Sequence, residues 1–158
     1  IKLIDDALKR LGISIVKTEL FDAVKADEKL YGKADRVLVD APCSGLGIIR
    51  RKPDIKWARK EKDLEEIREL QIRILEAASK YVKPGGFLVY STCTVLPEEN
   101  QDEVEKFLEG SACFETDDIS PLLPANLRWL GPDRWNIQLF PNRDGVDGFF
   151  IARLRKRD

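Results

Sequence analysis

Apolar residues along this chain recur at two different spacings. At Ile1, Leu3, Ile4, Ala7, Leu8 and Leu11 they form the stripe of an amphipathic helix, with Gly12 as its stop. Ile13 to Leu20 is rich in β-branched residues and predicts a strand that leads into Phe21-Asp22-Ala23. Ala26 to Ala34 is a polar connection, and Asp35 to Asp40, carrying Val37-Leu38-Val39, predicts a buried strand. The clearest helix runs from Asp63 to Val82, where Leu64, Ile67, Gln71, Ile74, Leu75, Ala78 and Val82 share one stripe. Acidic residues crowd its first turns and complement the helix dipole. Lys83-Pro84-Gly85-Gly86 breaks it, and Phe87 to Ser91 predicts the next strand. Pro97 suits the first turn of another helix, with Glu98 and Glu99 beside it and Val104, Phe107 and Leu108 on its core face. Beyond Gly110, Pro121, Pro124 and Pro132 mark loops. Asn136 to Phe140 and Gly148 to Leu154 predict a hairpin joined by the turn-rich Pro141 to Asp147. Helix and strand alternate with no linker between them, which predicts one layered α/β domain.

Composition narrows the class. The 158 residues are 43% hydrophobic and 35% charged, which is the make-up of a folded globular domain. No run approaches the roughly 18 apolar residues of a membrane span, and no signal peptide is visible. Three cysteines without regular spacing argue against a disulfide framework, so a reducing cytoplasm is the expected location. The net charge of −1 does not announce a nucleic-acid partner. Two local clusters, Arg50-Arg51-Lys52 and Arg153 with Arg155, Lys156 and Arg157, are either solvated surface or phosphate-contacting patches. The chain opens at Ile1 and holds no Met, and its organisation favours a piece of something longer over a processed start.

Two short motifs carry the chemistry. Asp40-Ala41-Pro42-Cys43-Ser44-Gly45 and Ser91-Thr92-Cys93 each follow a predicted strand directly. Open α/β sheets bind ligands just beyond the carboxyl ends of their strands, so two thiols, an acid and a glycine loop could share one crevice. Taken singly, each motif has an ordinary reading: strand-end Asp and Gly are turn residues, and a lone Cys is a small buried hydrophobe. Their coincidence at equivalent strand ends is what suggests covalent catalysis. Gly45 and Gly47 would let a ligand approach the backbone, Pro42 would fix the backbone that aims the thiol, and Asp40 could donate or accept a proton. Methylation of cytosine at ring carbon five needs this set of groups. A thiolate adds at carbon six, protonation at nitrogen three assists, and carbon five becomes nucleophilic enough to attack an activated methyl group. The carbon-five proton then leaves and the thiol is expelled. With no histidine, a Ser-His-Asp or Cys-His hydrolase is excluded within this chain. Cys43, Cys93 and Cys113 lack the ligand-pair spacing of a zinc site, so no metal is expected. Nothing in these residues decides which cysteine attacks.

Asp40 to Gly45, Arg51 to Trp57, Tyr90 to Asn100 and Asp147 to Leu154 together resemble the Nop/Sun family of RNA cytosine-5 methyltransferases, most of all its bacterial RsmB or Sun branch acting on small-subunit ribosomal RNA. The resemblance implies a Rossmann-like class I methyltransferase fold lacking its first two strands. Residues 1–158 would form the C-terminal part of one catalytic domain, with S-adenosylmethionine as cofactor and RNA as partner. By matching position, Cys93 would be the covalent nucleophile, Cys43 would promote release, and Asp40 would bond the nitrogen-three edge of the base. Asp22 would touch the cofactor's adenosine, and Asp40 and Pro42 would line the cofactor site. The family's glycine-rich cofactor loop and the acid-bearing strand after it are not in this sequence. A gap is therefore expected in the sheet between the Ile13–Leu20 and Asp35–Asp40 strands, filled by rearrangement, by a missing N-terminal segment or by a second chain. The rival readings are a non-catalytic remnant that binds RNA or a partner chain, and a thiol-redox protein.

Overall fold

The strand at the centre of the sheet is β2, Val82–Thr92, in a computed structural model that describes residues 1–58, 60–127 and 133–158. Pro132, read above as a loop marker, lies outside those residues. β1 (Ala34–Asp40) runs parallel to β2 on one side, and β5 (Phe149–Lys156) runs antiparallel to it on the other. β3 (Phe114–Thr116) and β4 (Asn136–Leu139) both pair antiparallel with the far edge of β5. The order is β1-β2-β5-β3, with β4 beside β5. Parallel neighbours need a crossover, and α3 (Glu61–Ser79), preceded by the four-residue α2 (Ile55–Ala58), supplies it between β1 and β2. The expected α/β Rossmann-like class is therefore what the chain adopts.

Alternation along β2 and β5 decides the faces. Leu88, Tyr90 and Thr92 of β2 are buried on the same side as Leu154, Ala152 and Phe150, their partners in register. Leu75 and Ala78 of α3, with Val104 and Phe107 of α4 (Gln101–Gly110), belong to the same cluster. The expected helical stripe is thus the face that is buried, and Gln71 on that stripe is fully buried as well. The Asp63–Val82 prediction shifts to Glu61–Ser79. Asp63 reaches back to accept the backbone N–H of Lys60, and Lys80 and Tyr81 leave the helix to offer their carbonyls to Gly32 and Ala34. The Lys83–Gly86 break is not a loop. It is absorbed into β2 as a slip in the pairing with β1, between Ala34 and Arg36. Pro97 opens a 3₁₀ turn, Pro97–Glu99, ahead of α4. The predicted hairpin forms as β4 and β5, with the four-residue α5 (Pro141–Asp144) in its connection.

One element expected from the sequence is not there. Ile13 to Leu20 forms no strand: Ile15 is 93% and Leu20 89% exposed, and no strand among the described residues pairs with them. β propensity reports the fit of a side chain to a sheet surface, so β-branched residues without a neighbouring strand stay irregular. The preceding helix, α1 (Lys2–Leu11), does form, ending at Gly12 with φ 68°, but none of its residues is buried. The outer edge of β1 carries no strand among the described residues, and Leu38 on that strand is 68% exposed. The gap expected between two strands is instead an open edge on β1, because the Ile13–Leu20 strand that would bound it on the far side does not form.

An open edge invites pairing with another chain, and a charge on it discourages that. Leu38→Lys should reduce concentration-dependent association of the chain in light scattering while leaving its far-UV circular dichroism unchanged. Equal association in the variant would mean that this edge is not where chains meet.

Candidate active site

β1 and β2 end level with each other. Asp40 sits opposite Ser91, and the Ala41 N–H donates to the Ser91 carbonyl at 2.9 Å, one step past the last paired residues. The two loops that leave these ends carry the cysteines. Cys43 Sγ lies 3.2 Å from Cys93 Sγ, and the Cys93 backbone N–H donates to Cys43 Sγ at 3.3 Å. Both cysteines are half-buried. Burial, followed by the bond with the Cys93 side chain, pushes the Cys43 thiol up to about 12. At neutral pH Cys43 is therefore a protonated thiol with its sulfur against that of Cys93.

A buried polar network holds the loops in this arrangement. Glu99, fully buried, accepts from the Ser44 backbone N–H at 2.8 Å and from Gln71 Nε2 at 3.0 Å through one oxygen, and from Thr94 Oγ1 at 3.1 Å through the other. The second hydrogen on Gln71 Nε2 goes to the Pro42 carbonyl at 2.9 Å. Ser44 Oγ and Thr94 Oγ1 lie 2.8 Å apart. Thr94 gives its single hydrogen to Glu99, so the Ser44 hydroxyl is the donor in that pair. Tyr90 joins from the core by donating to the Glu99 carbonyl at 2.8 Å. Sequence reasoning read Glu99 only as a helix-start acid and Gln71 only as part of a stripe. A glutamine on an apolar face was the available signal, because a buried amide must have partners.

A third loop closes against the first two. The Gly47 N–H donates to the Cys93 carbonyl at 3.0 Å, and the Gly148 N–H donates to the Gly47 carbonyl at 2.8 Å. Beside this seam Asp147 binds both Arg50 and Arg51, and those guanidiniums, Arg50 first, hold its carboxyl below the usual range. The two arginines of the first basic cluster therefore share one carboxylate, that of the residue next to Gly148. The second serves the sheet. Arg153 pairs with Asp117 at 2.7 Å and lies over the Phe87 ring, Arg157 pairs with Glu115 at 3.1 Å, and Lys156 donates to the Val82 carbonyl at 2.9 Å.

The remaining expected site residues lie at or near the end of β1. Asp40 is exposed at the strand end and accepts from Ser91 Oγ at 3.3 Å. Asp40 and Pro42 line a cavity of about 380 Å³ whose other walls include Phe21, Ala23, Val37 and Ile74. Asp22 stands between two of those lining residues. It does not line the cavity and does not end a strand: its carboxylate accepts from the Val24 N–H at 3.3 Å and pairs with Lys25 at 3.4 Å. The structure thus brings Cys43 and Cys93 together and puts Asp40 and Pro42 at the cavity, with Asp22 only adjacent.

A Rossmann-like sheet of this kind is the fold of a methyltransferase domain, and the paired thiols lie beyond the carboxyl ends of its parallel strands, where such sheets bind ligands. The profile of the "16S rRNA methyltransferase RsmB/F" family matches residues 1–155. The chain is 42% identical over 158 residues to the ribosomal RNA small subunit methyltransferase B of Enterobacter sp. (strain 638), covering 96% of this chain and 33% of that protein. It is also similar to the solved structure of PH0851, with TM-score 0.89 and 37% identity over 98% of this chain and 34% of that one. A third similar protein is NSun6 from Pyrococcus horikoshii, solved with SFG, with TM-score 0.75 and 29% identity over 99% of this chain and 38% of that one. The chain belongs to the RsmB/F family of 16S ribosomal RNA methyltransferases. It spans about a third of the length of the curated relatives it matches.

The raised Cys43 thiol has a consequence for stability. Below the ordinary value of 9.0 the folded and unfolded states both hold the proton, so the group makes no difference. Between there and about 12 only the unfolded state releases it, so stability falls as pH rises through that window. Urea unfolding from pH 8 to pH 11 should show a smaller loss for Cys43→Ala than for the parent chain; identical slopes would refute the assignment.

Proposed function

We propose that this chain is the C-terminal part of the catalytic domain of an enzyme that methylates carbon five of a cytosine in small-subunit ribosomal RNA, through a covalent bond to Cys93. The observation that carries this reading is the 3.2 Å thiol pair at the ends of two parallel strands. The family match and the relatives' names support ribosomal RNA as the substrate. The cofactor of this reading is S-adenosylmethionine, whose analogue SFG accompanies the similar NSun6 structure. The cavity beside β1 fits its adenosine portion: the walls are mainly apolar, and Asp40 and Pro42 stand at the rim. When bound, the cofactor supplies an electrophilic methyl group.

The chain's own residues divide the remaining work. Cys93 as thiolate adds to carbon six of an extruded cytosine. Asp40 bonds the nitrogen-three edge of the base in the base's protonated form, so that the electrons pushed in by the thiolate neutralise that proton's charge and no anion builds up on the ring. Carbon five takes the methyl group and then loses its proton to water, and the electron pair of that bond restores the ring double bond as the carbon–sulfur electrons return to Cys93. Cys43, a thiol at neutral pH, promotes release by offering its S–H as a hydrogen bond to the departing sulfur. Asp22, between the lining residues Phe21 and Ala23, would touch the adenosine.

In the enzyme that carries this chain, Cys93→Ala should abolish methylation and any adduct with an RNA transcript. Cys43→Ala should accumulate a denaturant-resistant protein–RNA complex, because attack proceeds and release stalls. An adduct that survives Cys93→Ala but vanishes in Cys43→Ala would exchange the two roles. Asp40→Asn should lower kcat by about 10²-fold or more with little change in RNA affinity, as expected for a group acting in the transition state; a loss of affinity alone would make it a binding contact.

For the 158 residues by themselves, calorimetry should show weak or no binding of S-adenosylmethionine, since the cavity lies against β1, whose outer edge no described strand covers. Micromolar binding by the monomer would show that the described residues suffice.

A further inference from the structure

Three features lie outside the roles just assigned: the exposed Trp57, the Arg50–Asp147–Arg51 cluster and the buried Glu99 network. The last is the most completely defined. Glu99 touches neither sulfur, yet it contacts the residue after each one: Ser44 through its backbone N–H and Thr94 through its hydroxyl. Gln71, anchored in α3, grips the same carboxylate and also the Pro42 carbonyl on the other side of Cys43. Cys43 is thus held from both flanks, and Cys93 is held through Thr94. Ser44 Oγ closes the ring by donating to Thr94 Oγ1.

We infer that Glu99 is a positioning residue that sets the spacing between the Cys43 and Cys93 sulfurs, with Gln71 as its anchor on α3. The inference rests on reading the two cysteines as a working pair. Its physical basis is that a buried carboxylate must keep its donors. Each donor belongs to a different segment, so satisfying one carboxylate fixes three segments relative to each other. Removing it leaves the Ser44 N–H, the Thr94 hydroxyl and the Gln71 amide competing for partners in a dry site, and the two loops lose their common tie. Glutamine at position 99 can still accept from Ser44 and Gln71 through its oxygen. Its amide can donate to Thr94 Oγ1 once the Thr94 hydroxyl turns to Ser44. The tie is weakened in that variant and not abolished.

The test reads sulfur spacing directly, without RNA or cofactor. The full chain with Cys113→Ser, which removes the exposed third thiol, is oxidised with diamide. Two thiols give up two electrons and two protons, the sulfurs join, and the diamide N=N bond becomes a hydrazine N–H pair. The rate of Cys43–Cys93 closure is followed by mass spectrometry, with circular dichroism as the control for folding. Closure should be at least ten-fold slower in Glu99→Ala, with Glu99→Gln recovering most of the rate. Thr94→Val, which removes the hydroxyl that links Glu99 to Ser44 and keeps the shape, should slow it several-fold. A folded Glu99→Ala that closes at the parental rate or faster would overturn the inference. If Glu99→Ala does not fold, Thr94→Val and Glu99→Gln decide: parental rates in both would overturn it equally. The covalent reading of Cys93 is tested separately by the RNA adduct. Loss of the adduct prediction with slow closure in Glu99→Ala would refute the mechanism and leave the positioning role, and the opposite pair of results would do the reverse.

Discussion

The parallel pairing of β1 on β2 is the interaction on which the site depends. It brings Asp40 level with Ser91, so the loops that leave the two strands start side by side and their cysteines meet although 50 residues separate them. A slip of one residue would turn every side chain of β1 to the other face, exposing Val39, which is now 5% accessible. The register is therefore enforced by the core, and the core reaches the site through Tyr90. That ring packs edge-on to Phe150 at 6.4 Å, and its hydroxyl donates to the Glu99 carbonyl. Burial holds the hydroxyl protonated far above the ordinary phenol range.

Two kinds of order meet beneath the thiols. The sheet supplies coarse alignment through apolar packing, which tolerates substitution of similar volume. The Glu99 network supplies the finer alignment through directional bonds, which do not. Asn100, the neighbour of Glu99, extends this pattern: its side chain accepts from Thr92 Oγ1 at 2.5 Å and donates to the Thr94 carbonyl at 3.2 Å and to Gln138 at 2.6 Å. The loop of Cys93 is thereby tied to α4 and to the β4–β5 hairpin as well as to the loop of Cys43.

The periodic parts of the chain were legible: the α3 stripe, the α4 core face, the alternation in β2 and β5, and the hairpin. Cys43 and Cys93 could be placed together because strand ends in such sheets share one side. Ile13–Leu20 misled because its composition promised a strand and only a neighbour could make one. The basic clusters looked alike in sequence. Their fates differ because Arg153, Lys156 and Arg157 face carboxylates, rings and carbonyls of the sheet, whereas Arg50 and Arg51 meet Asp147 across almost a hundred positions of sequence. Glu99 was hidden by its context, since an acid two residues after a proline is ordinary at a helix start and says nothing about burial.

The seam between Gly47 and Gly148 limits how this chain can change over time. A methyl group on Gly47 would sit 2.1 Å from the Gly148 carbonyl oxygen, and one on Gly148 would sit 2.6 Å from Val95 Cγ1 and 2.7 Å from the Gly47 Cα. Backbone stands in the way at both positions, so trimming a side chain relieves neither, and each must stay glycine for the seam to close. Insertions fit better in segments that touch neither loop, such as the polar stretch before β1. The seam also makes the hairpin a poor candidate for exchange with that of a distant relative, because a graft carrying any side chain at position 148 would press on the backbone beside Cys93.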